Sequence, residues 1–152
     1  MKVSLIIPTL NEAEVLSKTL SLVPKKYLCE IIVVDGHSVD ETIKIAKSKG
    51  CRTFLQPGKG YGDAVRCGVK KARGNVVIFM DADGSQDPKA IPQLIKKIKK
   101  GYEMVLGSRY IKGAGSEDDT LVRYIGNKFF TFLANKIHKL DISDSLYLYT
   151  AI

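Results

Sequence analysis

The sequence predicts an α/β domain with a mainly parallel central sheet and helices on both faces. The first observation behind this is a series of short strand-like runs: Val3 to Ile7, Ile31 to Val34, Cys51 to Leu55, Val76 to Met80 and Tyr102 to Leu106. Several are continuously apolar, as in strands buried on both faces. The second is that segments with helical spacing fall between them, and strands that alternate with helices pair in parallel. The third is length: 152 residues make one domain with room for a real core.

Taken in order, the first strand stops at Pro8-Thr9-Leu10-Asn11, and Asn11 with Glu14 resembles a capping box that opens a helix. Ala13, Leu16, Leu20 and Val23 share one face of that helix, which Pro24 ends. The second strand terminates at Asp35-Gly36, and Ser38-Val39-Asp40-Glu41 is another capping signal for a helix closing near Gly50. After the third strand, Gln56 to Gly62 is a glycine-rich loop, followed by a helix over Asp63 to Ala72 closed by Gly74. Val76 to Met80 is the central strand. The next helix sets Lys89, Lys96, Lys97, Lys99 and Lys100 against Ile91, Leu94, Ile95 and Ile98, a solvated face over a buried one. Tyr102 to Leu106 is a further strand, and Gly107 to Asp119 reads as a mobile loop long enough for a function.

Leu121 to Ile137 is helical and unusually apolar, with Phe129, Phe130, Phe132 and Leu133 together. Its Arg123, Asn127, Lys128 and Lys136 exclude a membrane span, so it is covered by protein or lies against lipid. A homodimer or a peripheral membrane contact would satisfy it.

The formal charge of +8, from 24 basic and 16 acidic residues, favours anionic partners: nucleic acid, acidic lipid or phosphorylated small molecules. No aromatics interleave with the lysines, so no nucleic-acid partner is expected. No apolar run reaches membrane-spanning length, and Met1-Lys2 leads straight into the first strand without a signal peptide. Cys29, Cys51 and Cys67 are odd in number and scattered, as reduced thiols of a cytoplasmic protein would be.

Chemistry concentrates where strands end. The central strand runs into Asp81-Ala82-Asp83-Gly84, and ionised carboxylates must surface there, at the carboxyl edge where open α/β sheets bind ligands. Hard oxygen ligands at this spacing suit Mg²⁺ or Mn²⁺ holding substrate phosphates, although the tetrapeptide taken alone reads better as a solvated turn. Asn11-Glu12 and Asp35 end the first two strands and join the same rim if those strands are neighbours. Backbone N–H groups of Gly58 to Gly62 could face phosphate oxygens, with Lys59 and Arg66 adding charge. His37 and His138 have no metal-like partners and read as structural, and Tyr61 reads as a packed loop aromatic rather than as part of the pocket wall, which is the alternative.

Pro8-Thr-Leu-Asn-Glu12, Val33-Val-Asp35-Gly-His-Ser-Val-Asp40-Glu-Thr42, Gly58-Lys-Gly-Tyr-Gly62, Ala72-Arg-Gly74, Met80-Asp-Ala-Asp83-Gly-Ser and Gly107-Ser-Arg109 occur in this order. In that order they resemble family 2 glycosyltransferases of the GT-A fold, nearest to the dolichyl-phosphate mannosyltransferase and polyprenyl-phosphate glucosyltransferase branch. The resemblance implies that Pro8, Glu12 and Asp35 hold the nucleoside. It implies that Asp81 and Asp83, with Ala82 between them, bind the cation and the diphosphate. Arg109 and Arg123 would grip the phosphate of a lipid-phosphate acceptor, assisted by Asn127 where the family often has serine. The donor would be GDP-mannose or UDP-glucose, the acceptor a polyprenyl phosphate, and the anomeric centre would invert.

The segment Ile142 to Tyr149 resembles the family's later motif, but Leu148 and Thr150 replace its glycine and its basic residue. Family members also continue well beyond Ile152. The alternative to an active transferase is therefore a non-catalytic nucleotide-sugar-binding module or an inactive short relative.

Overall fold

The computed structural model describes residues 1–111 and 120–152, so most of the loop expected to follow Gly107 lies outside the described residues. The strands are β1 (Val3–Thr9), β2 (Glu30–Asp35), β3 (Arg52–Leu55), β4 (Val76–Phe79), β5 (Val105–Leu106) and β6 (Thr150–Ala151). The helices are α1 (Ala13–Leu22), α2 (Thr42–Ser48), α3 (Tyr61–Lys71), α4 (Ile91–Lys99) and α5 (Leu121–His138). One sheet forms in the order β3-β2-β1-β4-β6-β5. The four strands from β3 to β4 are parallel, while β6 runs antiparallel to both β4 and β5.

Successive side chains of a strand point to opposite faces, and β1 divides the core accordingly. Leu5 and Ile7 pack with Leu16 and Leu20 of α1, Ala46 of α2 and Ile91, Leu94 and Ile95 of α4. Ile6 packs the other way, with Ala64 and Cys67 of α3 and Val77 and Phe79 of β4. Helices thus cover both faces, as the apolar runs predict.

Several local expectations change. Asn11 does not cap α1: it stands at φ 56°, and the N–H of Ala13 is met by Asp40 Oδ2 at 3.1 Å. Ser38 does not cap α2 either, because its hydroxyl and N–H both turn to Asp35, and Asp40 Oδ1 accepts from Thr42 N–H at 3.0 Å. One aspartate therefore serves the starts of two helices. Helix α3 begins at Tyr61 rather than Asp63, and the strand expected over Tyr102 to Leu106 shortens to Val105–Leu106. Strand β6 was not expected; Ile78 and Phe79 pair with Ala151 and Thr150.

Helix α5 is tied to the C-terminal segment by a buried polar cluster around Asp144, which is 1% exposed. Arg109 holds its carboxylate in a fork, Nε to Oδ2 at 2.9 Å and Nη2 to Oδ1 at 3.2 Å. Asn127 of α5 donates to Oδ1 at 2.7 Å, and Thr131 donates to Asn127 Oδ1 at 2.9 Å. The opposite side of α5 is bare: Leu121, Val122, Ile125, Phe129 and Phe132 are all exposed.

Gly74 lies where a side chain cannot fit, since a Cβ there would meet Ser4 N at 2.7 Å and Lys2 O at 2.8 Å. These are backbone atoms at the start of β1, which is paired on both sides and has little room to yield. Gly74→Ala should cost about 1–3 kcal/mol through overpacking, outweighing the roughly 0.4–1 kcal/mol gained by restricting the unfolded chain; urea unfolding measures the difference. Burial raises the Asp144 carboxyl, but hydrogen bonds from Arg109 and Asn127 and the Arg109 charge outweigh it, leaving the pKa below the ordinary 3.8. A depressed carboxyl contributes stability above its unfolded pKa of about 3.9 and loses it as pH falls through the lower folded value. Asp144→Asn should therefore be less stable at neutral pH, by on the order of 1.5–3 kcal/mol, the scale of hydrogen bonds to a charged group, and show a shallower loss of stability below about pH 4. Acid titrations that coincide for the two proteins would refute the role of the charge.

Candidate active site

Because β2, β1 and β4 are adjacent and parallel, their carboxyl ends bring three loops to one rim. A cavity of about 790 Å³ opens there, and Pro8, Glu12, Lys59, Asp81, Ala82 and Asp83 all line it. Six of the residues singled out in the sequence thus share one cleft.

Asp35 and Arg66 are placed differently. Asp35 is fully buried behind the cavity wall, accepting from Ser38 N–H at 2.8 Å and from the Thr9 hydroxyl at 3.2 Å. It braces the loop whose Gly36 and His37 form the wall. Arg66 is exposed on α3, its guanidinium 3.8 Å from Asp63.

The rim is held by reciprocal bonds between the loops after β1 and β2. Asn11 N–H donates to Ser38 Oγ at 2.8 Å, and Val39 N–H returns a bond to Asn11 Oδ1 at 2.9 Å. Glu12 N–H donates to Thr42 Oγ1 at 2.9 Å, which fixes the backbone from which Glu12 reaches the cavity. In the glycine-rich loop, Gly58 N–H is taken by Asp63 Oδ2 at 2.7 Å, so this donor does not face a phosphate as expected. Gly60 supplies the positive φ of 81° at which the chain turns into α3.

The electrostatics of the rim are one-sided. Burial pushes the Asp81 carboxyl above its usual range, and the Asp83 charge pushes the same way, while a hydrogen bond from Tyr61 works against both. Burial also raises Glu12, with the charges of Asp83, Asp40 and Asp81 adding to it. Carboxylates that resist ionising side by side are stabilised by a cation placed between them. Among the described residues no cluster of three or more His, Cys, Asp or Glu could hold an ion by itself. Two carboxylates beside an open cavity fit Mg²⁺ or Mn²⁺, which bind through one or two carboxylates plus substrate phosphates.

Arg109 lines a second cavity of about 650 Å³, together with Ser85, Lys97 and Tyr147. Tyr147 and Leu148, neighbours in sequence, line the second and the first cavity respectively. The Arg109 guanidinium lies 5.2 Å from the Tyr147 ring centre. Arg123 stands on the exposed first turn of α5 and lines neither cavity, and Asn127 is buried against Asp144.

The sequence reading missed some of the wall. Tyr61 takes the alternative place, lining the first cavity rather than packing as a loop aromatic, and its hydroxyl donates to Asp81 Oδ1 at 3.1 Å. His37 also lines the cavity, at φ 68°, with Nε2 3.1 Å from the Gln56 carbonyl. Gln86, 1% exposed, binds Asp81 and carried no signal beyond its closeness in sequence. Leu148 reaches the cavity from a segment with no readable periodicity.

The comparisons agree with this geometry. The family model described as glycosyl transferase family 2 matches residues 4–150. A dolichol-phosphate mannosyltransferase of Pyrococcus furiosus is 38% identical over 136 residues, 84% of this chain and 39% of that protein. Glycosyltransferase AglJ of Haloferax volcanii is 30% identical over 153 residues, 98% of this chain and 49% of that protein. The chain spans about half the length of the curated relatives it matches. Among solved structures, glucosyl-3-phosphoglycerate synthase from Mycobacterium tuberculosis, in complex with Mn²⁺ and UDP-glucose, aligns with a TM-score of 0.78 at 20% identity. That alignment covers 99% of this chain and 55% of the synthase, and it shows a shared GT-A fold. With an acidic pair at the carboxyl edge of a parallel sheet and a family match along nearly its whole length, this chain belongs to glycosyl transferase family 2.

Proposed function

We propose that the chain is the nucleotide-sugar-binding part of an inverting glycosyltransferase that moves a hexose to a polyprenyl or dolichyl phosphate. The observation that carries this is the clustering of Asp81, Asp83 and Glu12 in one cavity, next to a second cavity where Arg109 stands. The first would take the donor, GDP-mannose or UDP-glucose; the second borders the acceptor. The printed name of the Pyrococcus relative supports the acceptor class, and the Mn²⁺ and UDP-glucose of the Mycobacterium structure support the donor chemistry.

In this reading Pro8 and Glu12 contact the nucleoside, with Asp35 holding the wall behind it. Asp81 and Asp83 hold the cation, which when bound would offset the charge that develops on the departing diphosphate. Lys59 adds positive charge at the cavity, and Arg66 adds it at longer range. Arg109 and Arg123 attract the acceptor phosphate, arginine being suited to bidentate recognition of its oxygens. Asn127 contributes through Asp144, which sets the Arg109 fork. A phosphate monoester with a second pKa of about 6 is largely dianionic at neutral pH, so positioning suffices and no general base is assigned.

The bare side of α5 fits the same acceptor. Exposed Ile125, Phe129 and Phe132, flanked by Arg123, Lys128 and Lys136, make the kind of helix that lies in a lipid interface. No helix among the described residues is long and apolar enough to cross a membrane. A second copy of the chain could bury that face instead, and sedimentation would show it as a dimer.

Incubation with radiolabelled GDP-mannose or UDP-glucose, a short polyprenyl phosphate and Mn²⁺ should transfer label to the lipid. Asp83→Ala should reduce transfer by on the order of 100-fold or more, the scale of losing one electrostatic contact to the transition state. Donor binding without any transfer would identify a non-catalytic module instead. The double variant Phe129→Ser, Phe132→Ser should abolish co-sedimentation with anionic vesicles while leaving nucleotide binding intact; undiminished sedimentation would sink the lipid assignment for α5.

A further inference from the structure

The two oxygens of the Asp81 carboxylate have different partners. Oδ2 accepts from Gln86 Nε2 at 2.6 Å, while Gln86 Oε1 accepts the Asp81 N–H at 3.0 Å. This closes a small ring between one side chain and the aspartate's own backbone. Gln86 is 1% exposed, so water does not compete for its amide. Oδ1 has a different partner, the hydroxyl of Tyr61 at 3.1 Å. Tyr61 is on the first turn of α3, 40% exposed, and lines the cavity. One oxygen is thus pinned from the protein side and the other is covered from the cavity side.

A buried amide that satisfies an aspartate twice fixes its side-chain torsion, and such outer partners orient metal ligands. We propose that Gln86 is a positioning residue that holds Asp81 with Oδ1 toward the cavity, and that Tyr61 occupies Oδ1 until a divalent cation displaces its hydroxyl. This rests on the reading of Asp81 and Asp83 as the cation site. Among the described residues nothing comparable fixes Asp83, which is exposed and accepts from Ser85 N–H at 2.9 Å within its own turn. The pair therefore consists of one rigid and one adjustable carboxylate, and the rigid one sets where the ion lies.

Gln86 and Tyr61 should shift cation affinity in opposite directions. Gln86→Met keeps the length and bulk of the side chain and removes both hydrogen bonds. It should weaken Mn²⁺ binding, followed by electron paramagnetic resonance in the presence of UDP or GDP, by about 10- to 100-fold, the usual effect of losing an outer partner. Tyr61→Phe removes the competitor and should tighten Mn²⁺ by roughly threefold to tenfold, the worth of one hydrogen bond. Nucleotide affinity measured in EDTA should stay the same in Gln86→Met, whose side chain lies outside the cavity lining, which separates a positioning effect from damage to the fold. If Gln86→Met loses its cooperative melt, Tyr61→Phe, altered at an exposed position, decides alone. Unchanged Mn²⁺ affinity in a folded Gln86→Met protein, or unchanged or weaker affinity in Tyr61→Phe, overturns the proposal. Absence of Mn²⁺ binding in the unmodified chain would instead overturn the cation site itself.

Discussion

Negative charge at the end of β4 is the constraint to which much of the rest answers. The strand is buried on both faces, yet the chain leaves it through Asp81 and Asp83, with Glu12 delivered beside them from β1. Keeping such groups ionised in a partly enclosed cleft is unfavourable unless something positive or protic meets them. The protein supplies protic partners to Asp81 from Tyr61 and Gln86. Positive charge comes from farther off: Lys59 on the cavity wall and Arg109 across the next cavity. That arrangement sets acidic groups and a lysine on the wall of one cavity, with an arginine on the wall of the other.

The stiffness of the rim comes from bonds between loops rather than within them. Asp40 satisfies the first turns of both α1 and α2, and Asn11 and Ser38 bind each other's loop reciprocally. Asp35, which might have been expected to face a ligand, takes its hydrogen bonds from Ser38 and Thr9 and so locks the same junction from behind. A rim cross-linked this way is ordered in advance, and an ordered surface loses less free energy to ordering when it binds.

Much of the architecture was legible because it rests on patterns with a period. Apolar runs revealed the parallel strands, and the alternation of helices between them revealed which ends would share a rim; Asp81 and Asp83 could be placed before any coordinates. What escaped depends on contacts between segments distant in sequence. The apparent capping boxes at Asn11 and Ser38 failed because Asp40 reached both helix starts first. Thr150 and Ala151 form a strand only because β4 and β5 offer unpaired backbone on either side. Asn127, which the resemblance set beside the acceptor phosphate, donates to Asp144 from a segment 17 residues away. Gln86 lies close enough to Asp81 to be noticed, but its burial, which gives it its role, has no local signature.

The placement of β6 bears on how the molecule is assembled during synthesis. Strands β1 to β4 can associate once Phe79 has left the ribosome, but the position beside β4 is filled by Thr150 and Ala151, and Leu148 brings the last wall of the cavity with them. Until that late segment emerges, the nascent chain carries an open sheet edge at β4. Pausing of translation before it would therefore prolong a state able to pair with other chains.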